Sequence, residues 1–173
     1  MYEKLVENIM NRALARKVRG KRIMVYSFGF DGAPVVRELC AAIAKAGGSP
    51  DAVYEDAAAK KAFLDNATPE AIEARVAVME KHFAEYDHFI RILAERDLYE
   101  LADANRKNMA LFNRLYGTRV RDGIMLKRGY TLFNVPTIAF STKAGMSFEA
   151  YGALWDKVTG LDYTRMRHAM RPL

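Results

Sequence analysis

Cysteine is nearly absent from this chain: Cys40 stands alone among 173 residues. A lone thiol excludes an intramolecular disulfide and fits a reducing, cytoplasmic setting. It falls among Leu39, Ala41 and Ile43 on a predicted helix, the surroundings of a buried, inert thiol rather than a nucleophile. Histidine is scarce as well. His82, His88 and His168 are scattered and no His-Glu-x-x-His run occurs, so a zinc site of clustered ligands is not expected. Apolar runs stop well short of the roughly 18 residues that cross a bilayer, so no membrane partner is expected. Met1-Tyr2-Glu3-Lys4 puts charge where an export signal needs an apolar core. Neither Gly-x-Gly-x-x-Gly nor a Gly-Lys-Ser/Thr loop is present, and Ser27 and Ser141 lie outside any Gly-x-Ser-x-Gly elbow.

What is present suits one domain over residues 1–173, with 51% hydrophobic and 28% charged residues. The net charge of +6 is concentrated in one place. Between residues 105 and 128, seven bases (Arg106, Lys107, Arg114, Arg119, Arg121, Lys127, Arg128) face the single acid Asp122. That surplus equals the surplus of the whole chain. Such a segment forms a basic contact surface for RNA or the ribosome, or a solvated helix face. Phe112 and Tyr116 fall within it, but helical spacing puts them on the apolar side with Leu115.

Strand and helix patterns alternate along the chain. Strands are predicted over 22–28, 50–55, 87–93 and 130–135, each rich in β-branched or aromatic residues. An amphipathic helix over 2–18 opens the chain, with Leu5, Ile9, Ala13 and Leu14 at helical spacing. Helices over 33–46, 56–64 and 68–85 follow, and a long one leads from Glu95 through Leu115, with Gly117 as an end signal. Shorter ones cover 148–158 and 163–170. The fold class is α/β, a small, mostly parallel four-stranded sheet flanked by helices. Gly29-Phe30-Asp31-Gly32 joins the first strand to its helix at the sheet's carboxyl edge, where open α/β folds bind ligands. Gly29, Phe30 and Gly32 are therefore a candidate anion-binding turn, weighed against a plain helix cap.

The stretch from Tyr130 to Tyr151 is the most organised part of the sequence. A strand ends at Val135-Pro136, a short helix closes at Gly145, and Ser147 caps the next helix with Glu149 in its first turn. The run Val135-Pro136-Thr137 with Ala144-Gly145-Met146-Ser147 and Glu149-x-Tyr151 resembles the N-terminal domain of the aminopeptidase T and aminopeptidase S family of metallopeptidases. Phe148 and Ala150 depart from that family's Leu and second Glu. Asp87-His88-Phe89-Ile90-Arg91-Ile92 is similar to a family strand, and the resemblance extends over the chain. It implies two divalent metal ions held in a C-terminal domain, with no ligand position matched here. No cofactor is then expected in this chain, and neither a catalytic nor a metal-binding residue is assigned.

The resemblance implies a non-catalytic scaffold or interaction domain, with a second copy or another protein chain as partner. The alternatives are one part of an aminopeptidase completed by a separate metal-binding chain, or an RNA binder acting through the basic segment. Met166 and Met170, four residues apart beside Arg165, Arg167 and Arg171, are a candidate docking tail.

Overall fold

The computed structural model describes residues 2–15 and 17–161. Four strands, β1 (Arg22–Phe28), β2 (Ser49–Glu55), β3 (His88–Leu93) and β4 (Tyr130–Asn134), form one sheet in the order β2-β1-β3-β4. All three pairings are parallel. The α/β class and the four strand positions therefore agree with the sequence. Each crossover carries helices: α2 (Ala33–Lys45) joins β1 to β2, and α3 (Ala57–Asn66) and α4 (Pro69–Phe83) join β2 to β3. Capping follows local chemistry. Asp56 accepts a hydrogen bond from the Ala59 amide, and Thr68 from that of Ala71 with Pro69 in the first turn.

Strand alternation divides the core into two layers. Ile23, Val25, Ile90 and Ile92 face α1 (Glu3–Asn8), α2 and α8 (Phe148–Thr159), with Leu39, Ile43 and Trp155 among the buried residues. Met24, Tyr26 and Phe89 face α3, α4 and α5 (Arg106–Tyr116), where Leu64, Val76 and Phe112 are buried. Cys40 packs at the edge of the first layer and is half-buried, which raises its thiol pKa and keeps it protonated.

Two helix boundaries differ from the sequence pattern, each for a physical reason, and a third is followed by an unexpected π-helical continuation. The opening helix does not run to residue 18: α1 ends at Asn8 and a π-helical turn covers Ile9–Ala13. Leu5, Ile9 and Leu14 are all buried, and the step from Ile9 to Leu14 is five residues. The Leu14 amide bonds to the Ile9 carbonyl (2.9 Å), so the wider turn brings both side chains to the core. The helix after β3 does not begin at Glu95. Asp97 Oδ1 accepts from the Tyr99 amide at 2.8 Å, a local bond that competes with helix, and α5 starts only where Asn105 accepts from the amides of Lys107 and Asn108. α5 ends at Tyr116 with Gly117 as its C-cap, as the end signal predicts, but the chain stays helical beyond it. Gly117 takes helical angles (φ −55°, ψ −53°), and a π-helical segment, Gly117–Met125, carries Val120 and Met125 into the core before α6 (Leu126–Arg128).

The stretch after β4 folds as its local signals indicate. Thr137 caps α7 (Ile138–Lys143), Gly145 takes a left-handed φ of +65°, and Ser147 accepts from the Ala150 amide to cap α8. Trp155 then donates its indole N–H to the Asn134 carbonyl (2.8 Å), and Asn134 Nδ2 donates to the Tyr151 hydroxyl (2.7 Å). These two bonds lock α8 against the end of β4.

Candidate functional site

From β1 the chain crosses outward to β2, then returns past β1 to form β3 and β4. The connections leaving β1 and β3 diverge at their carboxyl ends, and such a switch point opens a crevice. A cleft of about 440 Å³ lies there, walled by the ends of β1 and β2, the first turn of α3 and the segment 95–101.

The β1–α2 turn forms one wall. Gly29 has φ +86°, and a Cβ there would stand 2.5 Å from the Ala94 carbonyl oxygen, so only glycine allows the turn to lie against the end of β3. Its amide donates to the Glu55 carbonyl (3.1 Å), and the Ala94 amide to the Phe28 carbonyl (3.0 Å), tying three strand ends together. Ser27 is buried and donates to the Gly29 carbonyl, holding the turn rather than serving as a free hydroxyl. Gly29, Phe30 and Asp31 reach the cleft, whereas Gly32 packs against Ser27 and Ala94. Phe30 is 61% exposed and its ring stacks on Tyr54 at 5.5 Å. Asp31 is taken up by Arg96, whose guanidinium donates to it at 2.6 and 3.3 Å.

Beneath the cleft lies a polar group that sequence reasoning passed over. Glu55 ends β2, accepts from the Tyr26 hydroxyl and pairs with Lys60 at 2.8 Å, both charged side chains being largely shielded from solvent. Burial, with the Glu55 carboxylate next to it, drives the Tyr26 pKa strongly upward. Arg91 projects from the centre of β3, its guanidinium 4.2 Å from the Phe28 ring centroid and 3.3 Å from the Tyr130 hydroxyl. Glu95 follows β3 and exposes no partner to its buried Oε2; Arg91 Nε is likewise unpaired. Burial first, then the charge of Glu55, raises the Glu95 pKa, while its own backbone amide and Arg91 draw it down. The available signal was Arg91, a charge between Ile90 and Ile92 on a buried strand.

The basic residues of 105–128 differ in their partners. Arg119 pairs with Glu80, Arg121 with Asp122, and Arg128 donates to the Ala84 and Tyr86 carbonyls at the end of α4. Arg106, Lys107, Arg114 and Lys127 lie outside these contacts and are exposed, as Arg121 and Arg128 also are. His82 sits edge-on to Phe83 and Tyr86, and His88 bonds to the Thr131 hydroxyl at 3.0 Å, its pKa lowered by burial. Ser141 is buried and donates to the Ile138 carbonyl. Among the described residues, no group of three or more His, Cys, Asp or Glu is placed to hold a metal ion. No described helix is long and apolar enough to cross a membrane. His168, the helix expected over 163–170 and the candidate docking tail at Met166 and Met170 lie outside the described residues.

Large apolar side chains are exposed chiefly toward the end of the described chain. Leu132, Ile138, Phe148, Leu154, Val158 and Leu161 are each about half exposed or more. Leu154, Val158 and Leu161 follow one another at steps of four and three along α8 and just past it, on a stripe separate from the buried Trp155.

No family profile and no curated protein matches the chain. Among solved structures, wild-type AmpT from Thermus thermophilus superposes on 91% of this chain with a TM-score of 0.62 and 17% sequence identity. The likeness is one of fold. The chain spans 42% of the length of AmpT, so most of that protein has no counterpart in what is matched.

Proposed function

We propose that this chain is a non-catalytic interaction domain, built like part of an aminopeptidase, which docks through α8 onto a second copy of itself. The observation that carries the reading is the exposed stripe of Leu154, Val158 and Leu161. Each of the three is already about half covered, so burying the rest contributes on the order of 0.7–1.5 kcal/mol apiece, which favours covering the stripe. A two-fold pairing uses the same patch twice and is the commonest way for a chain to cover it. The fold shared with AmpT, and the signature around Val135 to Tyr151, support the aminopeptidase-like origin.

Sedimentation velocity on the full chain at tens of micromolar tests the docking. A concentration-dependent dimer is expected, and the double variant Leu154→Glu, Val158→Glu reduces it to monomer. A parent chain that stays monomeric, or a dimer untouched by the double variant, overturns it. The non-catalytic part has its own assay: hydrolysis of aminoacyl substrates by the purified chain with cobalt or zinc overturns that reading.

A further inference from the structure

The cleft at the carboxyl edge of the sheet sets an open aromatic face beside apolar walls. Phe30 is 61% exposed yet held in place, its ring stacked on Tyr54 at 5.5 Å with 15° between the planes. Tyr54 covers one face of the ring, which leaves the other free at a cleft that Phe30 itself lines. Phe28, Ala57, Leu98 and Leu101 line the same space of about 440 Å³, a volume in the range of small-molecule sites. A fixed, exposed ring next to a concave apolar wall is a platform for a flat ligand, because every planar heterocycle has a π-face to set against it.

Polar groups narrow the class. Glu55 ends β2 of the β1-α2-β2 unit and lines the cleft, with 15% of its side-chain surface exposed. In doubly wound α/β folds an acid at that place accepts from a ribose hydroxyl. The Tyr26 hydroxyl and Lys60 already donate to the Glu55 carboxylate and fix its position, and a carboxylate's roughly four lone-pair sites keep capacity for a further donor. Phosphate finds no such welcome. The Gly29 amide is bonded to the Glu55 carbonyl (3.1 Å), and the two bases of the cleft, Arg96 and Lys60, are paired with Asp31 and Glu55. We propose that this cleft binds an unphosphorylated nucleoside, its base stacked on Phe30 and its ribose hydroxyl donating to Glu55.

Isothermal titration calorimetry on the full chain, with adenosine as the probe and its 5′-monophosphate and 2′,3′-dideoxy forms as comparators, tests the proposal. Adenosine saturates with Kd at or below roughly 1 mM, the monophosphate binds at least about tenfold more weakly, and the dideoxy form several-fold more weakly. Phe30→Ala, a change at an exposed ring, weakens adenosine binding about tenfold, whereas Phe30→Tyr retains it and Glu149→Gln on α8 leaves it unchanged. Absent saturation by adenosine, a monophosphate that binds as tightly, or full affinity in Phe30→Ala overturns the proposal. Equal affinity for the dideoxy form overturns the contact with Glu55. None of these readouts bears on the α8 dimer, which sedimentation measures separately.

Discussion

Glu95 concentrates the tension at the residue scale. Its pKa is raised, chiefly by burial, so the folded protein resists a charge that the unfolded chain accepts freely. The unfolded carboxyl ionises near its ordinary value of about 4.3. A raised folded pKa therefore leaves the protein most stable below that value and removes stability as pH rises from it to the folded pKa. Above the folded pKa the whole cost is present. Glu95→Gln, which keeps the shape without the charge, is expected to melt about 1–3 °C above the parent at pH 7, a small gain because the group is only partly shielded. At pH 4 the two proteins should melt together. Differential scanning calorimetry at both values decides it, and an equal difference at both would mean that charge is not the cause.

At the scale of elements, Asn108 ties two of the helices over the second core layer together. Asn108, on the first turn of α5, donates both amide hydrogens, to the Leu64 carbonyl (2.7 Å) and the Ala67 carbonyl (2.9 Å) at the end of α3. Those carbonyls belong to a helix terminus and need partners from outside it. Asn108→Ala is expected to destabilise the fold by roughly 1–3 kcal/mol, read from urea unfolding at unchanged slope. A loss below about 0.3 kcal/mol would show that water replaces the amide. Nothing in the sequence announces this bridge, since an asparagine near a helix start reads only as a capping residue. The cap at Ser147 was legible because its bond spans three residues. The π-helical turns were not. The five-residue step from Ile9 to Leu14 becomes a signal only once both are known to be buried.

Charge is distributed unevenly over the whole molecule. The surplus of 105–128 equals the chain's net charge, yet Arg119, Arg121 and Arg128 are engaged within the protein. The four exposed bases outside those contacts, Arg106, Lys107, Arg114 and Lys127, set a limit on any contact with RNA. The logarithm of affinity for a single-stranded oligonucleotide should fall with that of salt at a slope no steeper than about −3, whereas engagement of all seven gives about −5. Fluorescence anisotropy over a salt series separates the two.

The sequence by itself determined the α/β class, the four strands, the glycine turn after β1 and the compact stretch from Tyr130 to Tyr151. All of these are written in residues close in the chain, through periodicity, caps and backbone preference. Tertiary structure decided the order β2-β1-β3-β4, and with it which strand ends share an edge. Only that order brings Phe30, Glu55 and Glu95 to one cleft and sets Arg91 among the rings of Tyr26, Phe28 and Tyr130. Likewise, the engagement of two of the seven bases rests on contacts of Arg119 with Glu80 and Arg128 with Ala84, 39 and 44 residues apart. Local preference carries no record of partners so distant, because their meeting depends on how the crossovers stack the helices on the sheet.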